Sequence, residues 1–116
     1  MNTYTIIPLI LSKVVSEMGP MTYLAYPGQP IVRPYVMWYI QAGDKHVLVD
    51  TAIEAEDYRN YHAGFKDMPF EPTQSFEEAL AKVDCLPYDI DIVIQTHLHM
   101  GAGKRVKLRL RSTSNL

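Results

Sequence analysis

Asp89-Ile90-Asp91-Ile92-Val93-Ile94-Gln95-Thr96-His97-Leu98-His99-Met100 is the stretch from which the fold is read. Its middle, Ile90–Thr96, is short and rich in β-branched residues, the composition of a strand. That strand delivers the chain directly to two histidines separated by one residue. In extended backbone, residues i and i+2 face the same way, so His97 and His99 converge on one point. Neutral imidazole is a common zinc ligand, and catalytic zinc typically takes three protein ligands with one open position. Two histidines at a strand end are also what an ordinary strand carries, and a match of two residues leaves both readings open.

Upstream, Tyr35–Gln41 is a strand apolar on both sides, with Tyr35, Met37 and Tyr39 on one face and Val36, Trp38 and Ile40 on the other. Such a strand is normally covered twice. Ala42-Gly43-Asp44-Lys45 supplies turn chemistry, and His46–Asp50 returns as the second arm of a hairpin. Tyr4–Leu11 predicts a first strand in which Pro8 requires an edge or a bulge. Gly19-Pro20 and Tyr26-Pro27-Gly28-Gln29-Pro30 read as loop, as does Gly64–Thr73 with Pro69 and Pro72. Glu54–His62 predicts a short helix with acidic residues in its first turn, where the helix dipole favours them. Ser75-Phe76-Glu77-Glu78 matches a capping box opening a helix to about Val83, which buries Phe76, Ala79, Leu80 and Val83.

The chain has 116 residues, enough for one domain, with 47% hydrophobic and 21% charged residues. These values exclude a wholly disordered chain. The lone Cys85 has no intrachain partner and fits a reducing compartment, so the cytoplasm is the expected location. The longest early apolar run, Ile6–Leu11, is interrupted by Pro8 and too short for a signal core or a membrane span. Charge is uneven. Residues 1–103 hold six basic and all thirteen acidic residues, a net −7, whereas residues 104–116 carry +5. No aromatic residue interleaves that basic tail, so stacking on nucleic-acid bases has no support. Cys85, before Leu86-Pro87, reads as a small buried side chain rather than a nucleophile. Ser12, Ser16 and Ser75 lack a nucleophile-elbow context, and Gly101-Ala102-Gly103-Lys104 lacks the spacing of a phosphate loop.

The run from Asp89 to Met100 resembles the metal-binding strand and loop of the metallo-β-lactamase superfamily, which carries a Thr-His-x-His-x-Asp-His pattern there. His46-Val47-Leu48-Val49-Asp50-Thr51-Ala52 is similar to the earlier family strand that closes on an Asp-Thr pair. Trp38–Asp44 and Gln74–Leu80 resemble the N-acyl-homoserine-lactonase-like branch. The resemblance implies an α+β chain, the N-terminal half of an αββα sandwich, with a mixed sheet and covering helices. It implies a zinc-dependent hydrolase in which two metal ions activate water for attack on a lactone or ester carbonyl. Residue by residue, it assigns His97 and His99 as ligands of the first metal. Asp50 and Thr96 become the residues that orient the ligand loop. His46 and His62 match no ligand and read as surface or loop residues.

After Met100 the pattern stops. Gly101 and Ala102 stand where the family has Asp-His, and no acidic residue follows Asp91. Residues 1–100 are therefore expected to form a partial metallo-β-lactamase-like domain, and 101–116 a basic tail of different origin, from a change of frame or splice near Met100–Lys104. On this reading the chain is a hydrolase fragment without catalytic residues of its own, inactive as printed, holding at most one weakly bound zinc. A small lactone or ester is the substrate class implied by the resemblance. Two alternatives stand beside it. One is a non-enzymatic module that uses the open sheet face, including for self-association. The other is weak binding of anionic partners by the tail. Neither a membrane nor a nucleic acid is an expected partner.

Overall fold

Tyr4–Glu17 (β1) and Pro30–Ala42 (β2) form one long antiparallel pair, with Ile6 opposite Ile40 and Val15 opposite Val32. The computed structural model describes residues 3–61, 63–67 and 69–98; the side chain of Phe65, His62, His99 and the basic tail lie outside that description. Both strands run further than their sequence suggests, straight past prolines. The reason is who pairs where. Phe70–Pro72 (β4) joins β1 only at Ser12–Val14, so Pro8 sits where that side of β1 is a free edge. Lys45–Val49 (β3) joins β2 only at Trp38–Ala42, so Pro30 and Pro34 lie where the outer side of β2 is free. The pairing also slips between Ile10 and Ser12, leaving Leu11 as the extra residue. This bulge turns both Leu11 and Ser12 into the core, where each is fully buried.

The turn between β2 and β3 is Gly43-Asp44, with a positive φ of 63° at Gly43. A glycine in the first central position is what a tight two-residue hairpin requires. Ile92–Ile94 (β5) completes a mixed sheet of order β4-β1-β2-β3-β5 by lying parallel to β3, with Val47, Leu48 and Val49 opposite Ile92, Val93 and Ile94. The strand expected over Ile90–Thr96 is thus present but shorter. A 3-10 turn at Pro87–Asp89 leads into it, and Ile90 drops into the core instead. β4, within the stretch expected as loop, is a correction: three residues carry no pattern of their own, and their pairing partner is nearly sixty residues away.

Ala55–Tyr61 (α1) and Phe76–Ala81 (α2) both cover the same side of the sheet. Phe76, Ala79 and Leu80 of α2 pack on Leu9, Leu11, Met37, Tyr39 and Leu48, together with Cys85 and Ile90. Ala55 and Tyr58 of α1 pack with Val14, Ile53 and Phe70 at the other end, where the rings of Tyr58 and Phe70 sit 5.0 Å apart. The buried Ser12 hydroxyl donates to the Ile53 carbonyl at 2.6 Å, tying the bulge to the chain entering α1. The capping box at Ser75 forms as expected. Ser75 Oγ accepts from the Glu78 N–H at 3.1 Å, and Glu78 Oε2 accepts from the Ser75 N–H at 2.8 Å. Ser75→Ala is expected to lower unfolding free energy by about 1 kcal/mol, measurable by urea titration.

The opposite side of the sheet has no described helix on it. Register alone arranges its outward side chains in rows across four strands: Ile6, Ile40, Val47 and Ile92 in one, Pro8, Trp38, Val49 and Ile94 in the next. Trp38 remains 44% exposed, Ile92 and Ile94 49% each, and Ile6 60%. The two-faced strand β2 is therefore covered on one side only. No helix among the described residues is long and apolar enough to cross a membrane.

Candidate metal centre

Asp50 ends β3 beside the end of β5, where its backbone N–H donates to the Ile94 carbonyl at 2.8 Å. Its φ is +57°, a left-handed conformation that Asp tolerates better than most residues; Ala52, two positions on, has φ +52°. Two left-handed residues in three fold the chain back at the strand end, and the carboxylate reaches across to Thr96. Asp50 Oδ1 accepts from the Thr96 N–H at 2.9 Å, and Oδ2 accepts from the Thr96 hydroxyl at 2.7 Å. The same hydroxyl oxygen is 2.9 Å from His97 Nδ1.

The polarity of this chain follows from its first member. An ionised carboxylate only accepts, so the Thr96 hydroxyl spends its single proton on Asp50. Its oxygen must then accept from His97 Nδ1–H. That tautomer places the imidazole lone pair on Nε2, the atom a metal would take. Two buried polar side-chain atoms adjoin the clamp in sequence. Thr51 Oγ1 and Gln95 Nε2 are both without a hydrogen-bond partner. The donor chemistry fits zinc, and the donor number does not by itself complete a site. Among the described residues no three of His, Cys, Asp and Glu gather. His99, assigned as the second ligand by resemblance, lies outside the described residues.

A second polar group sets where this site falls. His46 stands on the expected hairpin arm but is half-buried rather than at the surface, and its Nδ1 lies 2.6 Å from the Tyr39 hydroxyl. The His46 N–H donates to Asp91 Oδ2, and the Asp91 N–H donates to the His46 carbonyl, both at 2.8 Å. These bonds stitch the start of β3 to the residue before β5. They set the parallel register and so carry His97 to the level of Asp50. Nothing in the sequence marked the pairing, because Tyr39, His46 and Asp91 come from three separate segments.

Cys85 is 1% exposed. Burial, reinforced by the nearby Asp89 and Asp91 carboxylates, pushes its thiol from the usual 9.0 up to about 11. Its thiolate population at pH 8 is then about a hundredfold below that of a free thiol, and native protein should react with a disulfide reagent only on unfolding. The unfolded thiol ionises from about pH 9 while the folded one stays protonated. Its contribution is therefore intact below pH 9 and lost as pH climbs to about 11, by roughly 2–3 kcal/mol, a slope that Cys85→Ala should flatten.

An α+β half-sandwich, helices on one face of a mixed sheet and a histidine at the carboxyl end of its parallel strand, is the class this geometry defines. The chain belongs to the metallo-β-lactamase superfamily, whose family model matches residues 30–100, more than half its length. Among solved structures, it is similar to a probable metal-dependent hydrolase from Staphylococcus aureus at 18% identity and a TM-score of 0.65, over 85% of this chain and 39% of that one. It is similar to a variant of AiiA from B. thuringiensis with N-decanoyl-L-homoserine at the active site, at 17% identity and TM-score 0.64, over 90% and 44%. A third is an N-acyl homoserine lactone hydrolase with the product N-hexanoyl-L-homoserine at its catalytic metal center. Identity there is 18% and TM-score 0.63, over 90% and 44%. At these identities the likeness is one of fold. The chain spans about two fifths of the length of each of these structures. No protein of curated function matches the sequence.

Proposed function

We propose that this chain carries the first part of a zinc-hydrolase site of the lactonase type, with His97 and His99 as ligands and a lactone or ester as the substrate class. The observation that carries this reading is the Asp50–Thr96–His97 hydrogen-bond chain, which directs a neutral imidazole lone pair to Nε2. Zinc bound there would polarise a carbonyl oxygen or acidify a water. The protein's own part is to hold the ring in one tautomer and one orientation. Gly101 and Ala102 contribute no donor where the family places Asp and His, so the reading expects at most one weakly held metal and no lactone hydrolysis by these residues unaided. Structural zinc sites worth ~10–16 kcal/mol use four ligands, so two imidazoles bind weakly and exchange fast.

Isothermal titration with zinc should give at most one weak site, lost in the double variant His97→Ala, His99→Ala. Two tight sites, or binding indifferent to that change, would refute the assignment. Lactone hydrolysis should match buffer with free zinc. A zinc-dependent rate abolished by His99→Ala would show that other residues stand in for the absent pair.

A further inference from the structure

The Asp50 carboxylate is presented to Thr96 by a short segment whose backbone has to be held in place. Asp50, with φ +57°, and Ala52, with φ +52°, are both left-handed, a region that a residue with a Cβ disfavours. Asp is one of the few side chains that tolerate it, and Ala is not. A non-glycine residue stays left-handed only where its surroundings over-determine it, and such residues cluster at functional sites. We infer that Ser12, distant in sequence, is a positioning residue of this centre: its hydroxyl tethers residues 50–53 in the conformation that presents Asp50 to Thr96. This rests on the zinc reading for the purpose of the clamp, and on backbone geometry for how the clamp is held.

The anchors lie on both sides of Ala52. Upstream, the Asp50 N–H donates to the Ile94 carbonyl at 2.8 Å, and Thr51 is buried. Ala52 itself packs on the core cluster beneath α2, whereas Ile53 is buried in the other cluster with Val14, Tyr58 and Phe70. The chain therefore passes from one core to the other between two consecutive residues. Just downstream, Glu54 Oε1 accepts from the Phe76 N–H at 2.9 Å. The Ile53 carbonyl lies between these anchors, and it takes the 2.6 Å hydrogen bond from Ser12 Oγ. Ser12 can supply that bond because the bulge at Leu11 turns it inward, where it is fully buried. Its loss leaves the Ile53 carbonyl without this donor and lets the segment relax toward right-handed backbone at Ala52.

Tether and strain act with opposite signs, which separates this role from ordinary packing. Removing the tether loosens the clamp. Replacing Ala52 by glycine tightens it, because glycine has no preference for leaving the left-handed region. Hydrogen exchange at the Thr96 N–H, which Asp50 Oδ1 accepts at 2.9 Å, reads the clamp without metal. This hydrogen bond is exposed, so the amide exchanges by local opening, and a loss of global stability does not by itself accelerate it.

In the full chain, Ser12→Ala should speed Thr96 exchange about tenfold and weaken zinc binding by a similar factor. Ala52→Gly should slow that exchange about fivefold, and combining it with Ser12→Ala should return the rate toward native. Ser75→Ala, which removes the cap of α2, is the control of comparable destabilisation and should leave Thr96 exchange unchanged. Unchanged exchange in Ser12→Ala overturns the inference, as does equal acceleration in Ser75→Ala. Should Ser12→Ala not fold, Ala52→Gly decides alone, and exchange that is unchanged or faster there overturns it. The expected exchange pattern in a chain that binds no zinc supports the positioning of Asp50 by Ser12 and refutes the zinc reading alone.

Discussion

Asp50→Asn is expected to weaken zinc binding at His97 by about 10- to 100-fold while lowering unfolding free energy by no more than about 1 kcal/mol. The change keeps shape and backbone, since Asn tolerates the φ of +57° as well as Asp does. What it reverses is the direction of the hydrogen-bond chain. Asn accepts from the Thr96 N–H through its oxygen, and its amide then donates to the Thr96 hydroxyl, 2.7 Å away in the native pair. The hydroxyl proton is released toward His97 Nδ1, and the ring proton moves to Nε2, the atom proposed to take the metal. Imidazole nitrogen shifts in NMR report the tautomer directly, and zinc titration reports the affinity. Thr96→Val should act in the same direction, because it breaks the relay at its middle. Unchanged nitrogen shifts and affinity in Asp50→Asn would reduce Asp50 to a turn residue.

Leu80→Ala is expected to lower unfolding free energy by about 3–4 kcal/mol, a large part of the total for a chain of this size. Leu80 is fully buried where α2 meets Leu11, Met37, Tyr39 and Leu48, so truncation removes transfer energy and leaves a cavity between helix and sheet. The Leu80 carbonyl also accepts from the Val83 and Cys85 N–H groups, which close the helix and direct Cys85 inward. That turn gives the surroundings little freedom to collapse. Glu77→Ala, on the exposed face of the same helix, should cost less than about 0.5 kcal/mol. Equal effects of the two substitutions, by urea titration, would mean that α2 does not dock as described.

The two predictions sit on opposite sides of what a sequence can express. Leu80 is legible because a helical stripe repeats every three to four residues, and Ser75 and Glu78 announce where that helix begins. The relay through Asp50 is only half legible. Asp50 and Thr96 were singled out by resemblance to a family, and the sequence holds no hint that one carboxylate would bind the other's amide and hydroxyl together. His46 is legible as a strand residue but its partial burial is not: its partners, Tyr39 and Asp91, become neighbours only through strand pairing.

Taken alone, the sequence determined everything governed by neighbours a few positions apart. The Gly43-Asp44 turn, the capped α2, the β-branched strand before His97 and the two apolar faces of β2 all follow from local chemistry, because dihedral preference and side-chain alternation act over two to five residues. The tertiary structure decided what depends on distant partners. It extended β1 and β2 past Pro8 and Pro34 by leaving those edges unpaired, and made a strand of Phe70–Pro72 by offering Ser12–Val14. It also laid β5 parallel to β3, which brings Thr96 to Asp50, and put both helices on one face so that Trp38 stays open. Pairing across a sheet gains its hydrogen bonds and packing only after a long loop is closed, so its outcome is a property of the assembled chain and of no single segment.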